Sequence, residues 1–191
     1  MSRLFAVTCI GFLCGMVGTG LGGILAILLG NPTKRVMAVI LGFTSGIMIS
    51  VVCFDLLPEA FGLGGVLMGL LGLVLGVGMI IAIEQFIPER VSQKFSSDFD
   101  FIRSGILLGI GIAVHNFPEG LAVGSGFAAN DYFGLGLALV IGLHDMPEGV
   151  AMAAPLKMGG ISRQKILLYT VLAGIPTGIG AFAGELLGEI S

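Results

Sequence analysis

Six apolar stretches, each long enough to cross a hydrocarbon layer about 30 Å thick, occupy most of this 191-residue sequence. They run over residues 4–29, 36–60, 64–87, 105–128, 133–155 and 166–187. Only 11% of residues are charged and the mean hydropathy is +1.06, whereas a soluble domain carries about a quarter charged residues. That polar surface is too small to solvate a globule of this size, so lipid is the expected solvent. The sequence therefore predicts an all-α membrane protein. It would form a single transmembrane domain over 1–191, with six transmembrane helices and a polar cytoplasmic loop at about 88–104. The first apolar run is much longer than the apolar region of a cleaved signal, about 7–15 residues, and reads as a retained helix.

Charge sets the expected orientation. With six helices, Lys34, Arg35, Arg90, Lys94, Arg103, Lys157, Arg163 and Lys165 all fall on one side, and Arg3 alone falls on the other. Short loops rich in Lys and Arg remain cytoplasmic, which places both termini outside. The net charge of −3 says little about partners, and no basic tract points to nucleic acid, so none is expected. Cys9, Cys14 and Cys53 lie in apolar runs without a C-x-x-C pair and read as small buried hydrophobes. Glycines recur every three or four residues at Gly11, Gly15, Gly18 and Gly22, and again at Gly65, Gly69, Gly72 and Gly76. Both seams are expected to be packing faces.

The chemistry concentrates in two matched hexapeptides. Helix 4 carries His115-Asn116-Phe117-Pro118-Glu119-Gly120, and helix 5 carries His144-Asp145-Met146-Pro147-Glu148-Gly149. The two histidines that open them are the only two in the chain. His and Glu at i and i+4 share a helix face, and the residue at i+1 flanks it. Proline at i+3 withholds a backbone donor and crowds the carbonyl four residues earlier, here those of Val114 and Leu143. Such breaks are tolerated at membrane depth where the freed groups line a cavity. Each motif lies near the middle of its span, and the spans run in opposite directions. Facing motifs would gather two imidazoles and two carboxylates at the midplane, with the inverted-repeat character of transporters. An acidic group at a helix centre costs about 2.5–3.5 kcal/mol on insertion scales, so Glu119, Asp145 and Glu148 unpaired would cost on the order of 8–10 kcal/mol together. No Lys or Arg falls within 105–128 or 133–155 to offset them. A divalent cation would, and imidazole with carboxylate suits zinc while accepting iron, manganese, cobalt or cadmium. A proton relay without metal is the competing use of such residues.

These paired motifs resemble those of the ZIP (Zrt-/Irt-like) divalent metal transporters, most closely the bacterial type, and the resemblance spans essentially the whole chain. Gly42-Phe43-Thr44-Ser45-Gly46 and Asp55-Leu56-Leu57-Pro58-Glu59-Ala60 also resemble the family's second helix. The resemblance implies uptake of a divalent metal, zinc by preference, toward the cytoplasm through a binuclear site. One position would use His115, Glu119, His144 and Glu148. The other would use Asn116, Glu119, Asp145 and Glu148, with both glutamates bridging. It implies Zn2+ or another divalent metal as bound substrate, a multi-pass location in a bacterial plasma (inner) membrane, and a second copy of the chain as a candidate partner. Family members usually have eight helices, whereas six are expected here, which keeps a non-transporting metal-binding or regulatory half as an alternative. Many bacterial relatives place a Glu on helix 6 where Ala173-Gly174-Ile175-Pro176-Thr177-Gly178 puts Thr177, so the second position is expected to be weaker or absent. The cytoplasmic loop has no His for metal sensing. An intramembrane metalloenzyme is a third reading, but the H-E-x-x-H and E-x-x-H arrangements are missing.

Among the remaining residues, Asp55 and Glu59 read equally as a cation entrance or as solvated interfacial charges. Glu185 and Glu189 read as solvated helix-end charges, and Glu84 as a partner for a basic loop residue. Met146 and Met152 read as core packing ahead of soft metal contacts.

Overall fold

A computed structural model of the chain describes residues 2–29, 33–86 and 97–188, and these are helical apart from short connections. The elements are α1 (Ser2–Leu28), α2 (Lys34–Val51), a π-helical turn (Val52–Leu56), α3 (Leu57–Phe86), α4 (Ser97–Ala129), α5 (Asp131–Met158), α6 (Arg163–Ala173) and α7 (Ile175–Gly188). They divide into two compact units, one of residues 1–32 with 96–191 and one of residues 33–95.

The larger unit contains four segments long and apolar enough to cross a membrane: Arg3–Leu28, Phe101–Ala129, Asp131–Met158 and Arg163–Gly188, the last formed by α6 and α7 together. α4 begins at Ser97, ahead of the expected Gly105, and α5 continues to Met158. The apolar count finds the part of a helix that lipid demands, while backbone hydrogen bonding extends it into polar sequence at either end. Only Asn130 separates α4 from α5. Its side-chain oxygen accepts from the Tyr132 and Phe133 amides at 2.9 and 3.2 Å, an N-cap that reverses the chain in one residue. Pro118 and Pro147 sit within α4 and α5 without ending them.

Small residues set how closely these helices approach. α1 packs chiefly on α5 and α7, and α4 chiefly on α7 and α5. The α1 seam is a packing face as read from sequence. A Cβ on Gly11 or Gly15 would strike Ala181 or Thr177 of α7, and one on Gly18 or Gly22 would strike Asp145 or the Met146 carbonyl of α5. The glycine that closes each hexapeptide belongs to the same system. Gly149 lies against the Thr19 carbonyl of α1, and Gly120 against the Thr177 carbonyl of α7. Each motif helix is thus pressed against its own supporting helix at the level of its glutamate.

Both ends of this unit are tied by charge. At one end the Arg3 guanidinium pairs with Glu185 at 2.9 Å and Asp131 at 3.1 Å, and also donates to the Phe127 carbonyl. Glu185 is 0% exposed and not the solvated end charge expected, because α1 carries Arg3 alongside α7, an association that helix-end position alone does not reveal. At the other end Lys157 donates to the Ala26 and Ile27 carbonyls at 3.1 and 2.7 Å, satisfying the last turn of α1. Cys14 donates to the Ala138 carbonyl at 2.9 Å. Met152 is buried beside Gly109, in keeping with its expected packing role.

In the smaller unit, α2 passes through the π-helical turn into α3, and α3 kinks at Gly65 (φ 74, ψ 164), in the left-handed region that glycine tolerates. Shorter apolar helices here cover Ala38–Phe54 and Gly64–Met79. Within this unit the second glycine seam has few neighbours among the described residues. Gly65 supplies the kink and Gly69 lies against Phe61, while Gly72 and Gly76 meet no other element of this unit. Cys53 is exposed on this unit, because an apolar neighbourhood in sequence does not by itself bury a side chain within its own unit. The side chains of Asp55, Glu59 and Glu84, and the loop 87–96 with Glu189, lie outside the described residues.

Filling the α1–α5 contact should cost stability selectively. Gly149→Ala, overpacked against Thr19, is expected to destabilise by about 1–3 kcal/mol. Gly136→Ala on the same helix, where a Cβ meets nothing within 4 Å, should be neutral or slightly stabilising. Thermal melting in detergent compares them, and equal midpoints would contradict the packing described.

Candidate metal centre

The two hexapeptides face each other across the α4–α5 contact. Within each helix the i, i+4 spacing brings imidazole and carboxylate together: His115 Nε2 lies 3.2 Å from Glu119 Oε1, and His144 Nε2 lies 3.3 Å from Glu148 Oε1. Across the helices, His115 Nε2 to Glu148 Oε1 and His144 Nε2 to Glu119 Oε1 are both 3.8 Å. The antiparallel pairing thus gives each imidazole one glutamate from its own helix and one from the other. The rings stand 6.3 Å apart at 60°. Ligand atoms of His115, His144 and Glu148 all fall within 4.8 Å of one another.

These separations match the demands of a small cation. Bonds of about 2.0–2.1 Å in a four-coordinate shell put neighbouring ligand atoms about 3.3 Å apart. The pairs within each helix already have that spacing, and the 3.8 Å pairs between helices exceed it by a margin that side-chain torsions can close. His144 Nε2 and Glu148 Oε1, although 3.3 Å apart, make no hydrogen bond. A ring nitrogen and a carboxylate oxygen turned toward one space are ligand atoms that a divalent cation can use.

Burial is graded across the centre. The His115 side chain is 25% exposed, His144 15% and Glu119 12%, while Glu148 is 1% exposed and Asn116 and Asp145 are fully buried. The histidine side is therefore the accessible side. Behind it, both oxygens of Asp145, Oε2 of Glu119 and of Glu148, and Oδ1 of Asn116 have no hydrogen-bond partner among the described residues. The charges nearest Asp145 are Glu119 and Glu148. Arg103 and Lys157 do lie within α4 and α5 as these extend beyond the expected spans. They stand about 18 and 14 Å along the helices from His115 and Glu148, too far to neutralise the cluster.

All six expected site residues thus belong to one region. His115, Glu119, His144 and Glu148 form its open face. Asn116 and Asp145 sit behind, Asn116 donating from Nδ2 to the Ala173 carbonyl at 2.9 Å. Thr177 is fully buried and packs toward Gly15 of α1, with its Oγ1 unbonded. Sequence reading missed the contribution of Ala173, a backbone carbonyl at the end of α6. Its signal was the Gly174-Ile175-Pro176 break, which marks where a helix releases its carbonyls.

Comparison with known proteins gives concordant matches. The sequence model of the family described as ZIP Zinc transporter matches residues 85–191. The protein named Zinc transporter ZupT from Escherichia fergusonii is 34% identical over 182 residues, covering 88% of this chain and 69% of the relative. Its namesake from Corynebacterium glutamicum is 32% identical over 190 residues, covering 90% and 72%. That from Chlorobium chlorochromatii is 31% identical over 191 residues, covering 90% and 71%.

A centre of this composition should bind divalent transition metals in competition with protons. Imidazole must be neutral to ligate, and free histidine gains its proton near pH ~6.5. Affinity measured by isothermal titration calorimetry should hold near pH 7 and fall as pH drops below about 6. The same affinity at pH 7 and pH 5 would contradict these ligands.

Proposed function

Because the chain belongs to the ZIP family of metal transporters, we propose that it carries a divalent transition metal, zinc first, across a bacterial inner membrane toward the cytoplasm. The metal is held between α4 and α5 by His115, Glu119, His144 and Glu148. Asn116 and Asp145 supply a second, weaker position with both glutamates bridging. The observation that carries this reading is the convergence of the buried carboxyls of Asp145 and Glu148, the mostly buried one of Glu119 and two imidazoles, with no basic side chain beside them among the described residues of this unit. The curated relatives named above are zinc transporters by name, which favours zinc among the metals that an N/O ligand set accepts.

The orientation follows from charge. Lys157 at the end of α5 meets the end of α1, and Arg163 and Lys165 begin α6, so these cations gather at one end of the larger unit. Arg3, at the other end, is paired with Glu185 and Asp131. The Lys-rich end is cytoplasmic by the positive-inside rule. The two shorter apolar helices of the smaller unit complete six spans, with both termini outside. Transport then consists of exposing the midplane ligands to each side in turn.

The ligand chemistry suggests how the metal is released. Two neutral imidazoles and two shared carboxylates hold a cation while leaving protons able to compete for every ligand.

In liposomes containing the purified chain, Glu119→Ala or His144→Ala should abolish zinc uptake while leaving the protein folded. Uptake at the unmodified rate in both variants would end the assignment. Uptake by the unmodified chain would also exclude a non-transporting role.

A further inference from the structure

α6 ends at Ala173 and α7 begins at Ile175, with Pro176 in its first turn. Pro176 has no N–H to offer, and its ring displaces the carbonyl four residues earlier, so the helical ladder fails there. The neighbouring Ala173 carbonyl accepts from Asn116 Nδ2 at 2.9 Å. A carbonyl can only accept, so the carboxamide must turn its NH2 toward α6 and its oxygen away. That oxygen is buried and has no hydrogen-bond partner among the described residues.

Thr177 does not compete for the Ala173 carbonyl. Thr8, Thr19 and Thr170 each return their hydroxyl to the carbonyl four residues back, at 2.7, 2.7 and 3.1 Å. The equivalent acceptor for Thr177 is Ala173. Yet Thr177 Oγ1, buried, makes no hydrogen bond. The side-chain donor recorded on this carbonyl is Asn116 of α4.

We propose that the Ala173 carbonyl, released at the Pro176 break, is a positioning group for the metal centre that holds the Asn116 carboxamide with Oδ1 as the atom offered to a cation. The inference rests on the transport reading above, in which Asn116 is a ligand. Without this anchor the carboxamide is free to turn half a revolution about its terminal torsion and present NH2, a donor that no cation accepts. Pro176 therefore acts on the metal through Asn116, although it lies on another helix.

A double-mutant cycle on the purified full chain tests this, with zinc affinity read by calorimetry at pH 7. Pro176→Ala, which lets α6 run on into α7, should weaken zinc about tenfold, the usual effect of losing a group that orients a ligand. In an Asn116→Ala background the same change should alter affinity by less than about twofold. Equal losses in both backgrounds would make Pro176 merely structural and overturn the proposal, as would unchanged affinity in Pro176→Ala. A second measurement needs only the unmodified fold. The chain has three asparagines, Asn31, Asn116 and Asn130, so 15N-asparagine labelling gives a simple amide spectrum in which Asn116→Ala assigns the Asn116 signals. Its NH2 protons should exchange at least about tenfold more slowly than those of Asn130, which is exposed and engaged only through its oxygen. Equal exchange would overturn the proposal. Zinc binding by His144→Ala as tight as by the unmodified chain would instead fail the transport reading and this inference with it. That outcome is distinct from an additive cycle in a chain whose binding depends on His144.

Discussion

Carboxyls placed in the middle of an apolar bundle govern the rest of this structure. Glu119, Asp145 and Glu148 lie close together, and neither oxygen of Asp145 receives a hydrogen bond among the described residues. Each ionised carboxylate at that depth costs several kcal/mol unless a positive partner offsets it. The basic side chains of α4 and α5 stand about 14–18 Å away along the helices. Imidazole nitrogens at 3.2 to 3.8 Å are the nearest counterparts, and neutral imidazole supplies ligation but no charge. A divalent cation would meet both needs at once.

Holding such a cluster requires walls that do not yield. The glycines of α1, α4, α5 and α7 let backbones meet backbones, so Gly149 on Thr19 and Gly120 on Thr177 fix each motif helix at the level of its glutamate. Arg3 binds α4, α5 and α7 at one end, and Lys157 closes the end of α1 at the other. Polar groups that would compete for the ligands are spent elsewhere, as Thr19 on the Gly15 and Thr170 carbonyls. Within this unit, the side of the centre left partly open is the histidine side.

Much of this was legible in the residues, for identifiable reasons. Apolar runs report the solvent directly, so the helices of the larger unit and the opposed motifs follow from counting, and i, i+4 spacing dictates the His–Glu pairs. What stayed hidden depends on partners distant in sequence. Glu185 reads as an end charge until Arg3 is seen beside it. The start of α4 at Ser97 is invisible to hydropathy because its first turns need no lipid. The Ala173 carbonyl carries no side-chain signature at all, and only the glycine and proline around it hint that a backbone acceptor is released.

The most direct measurement is anomalous scattering at the zinc edge from crystals of the chain grown with zinc. The account predicts a strong peak among His115 Nε2, His144 Nε2 and the Glu119 and Glu148 carboxylates, with a weaker one toward Asn116 and Asp145. Zinc bound only elsewhere, with the two histidine faces carrying no peak at saturating metal, would contradict it.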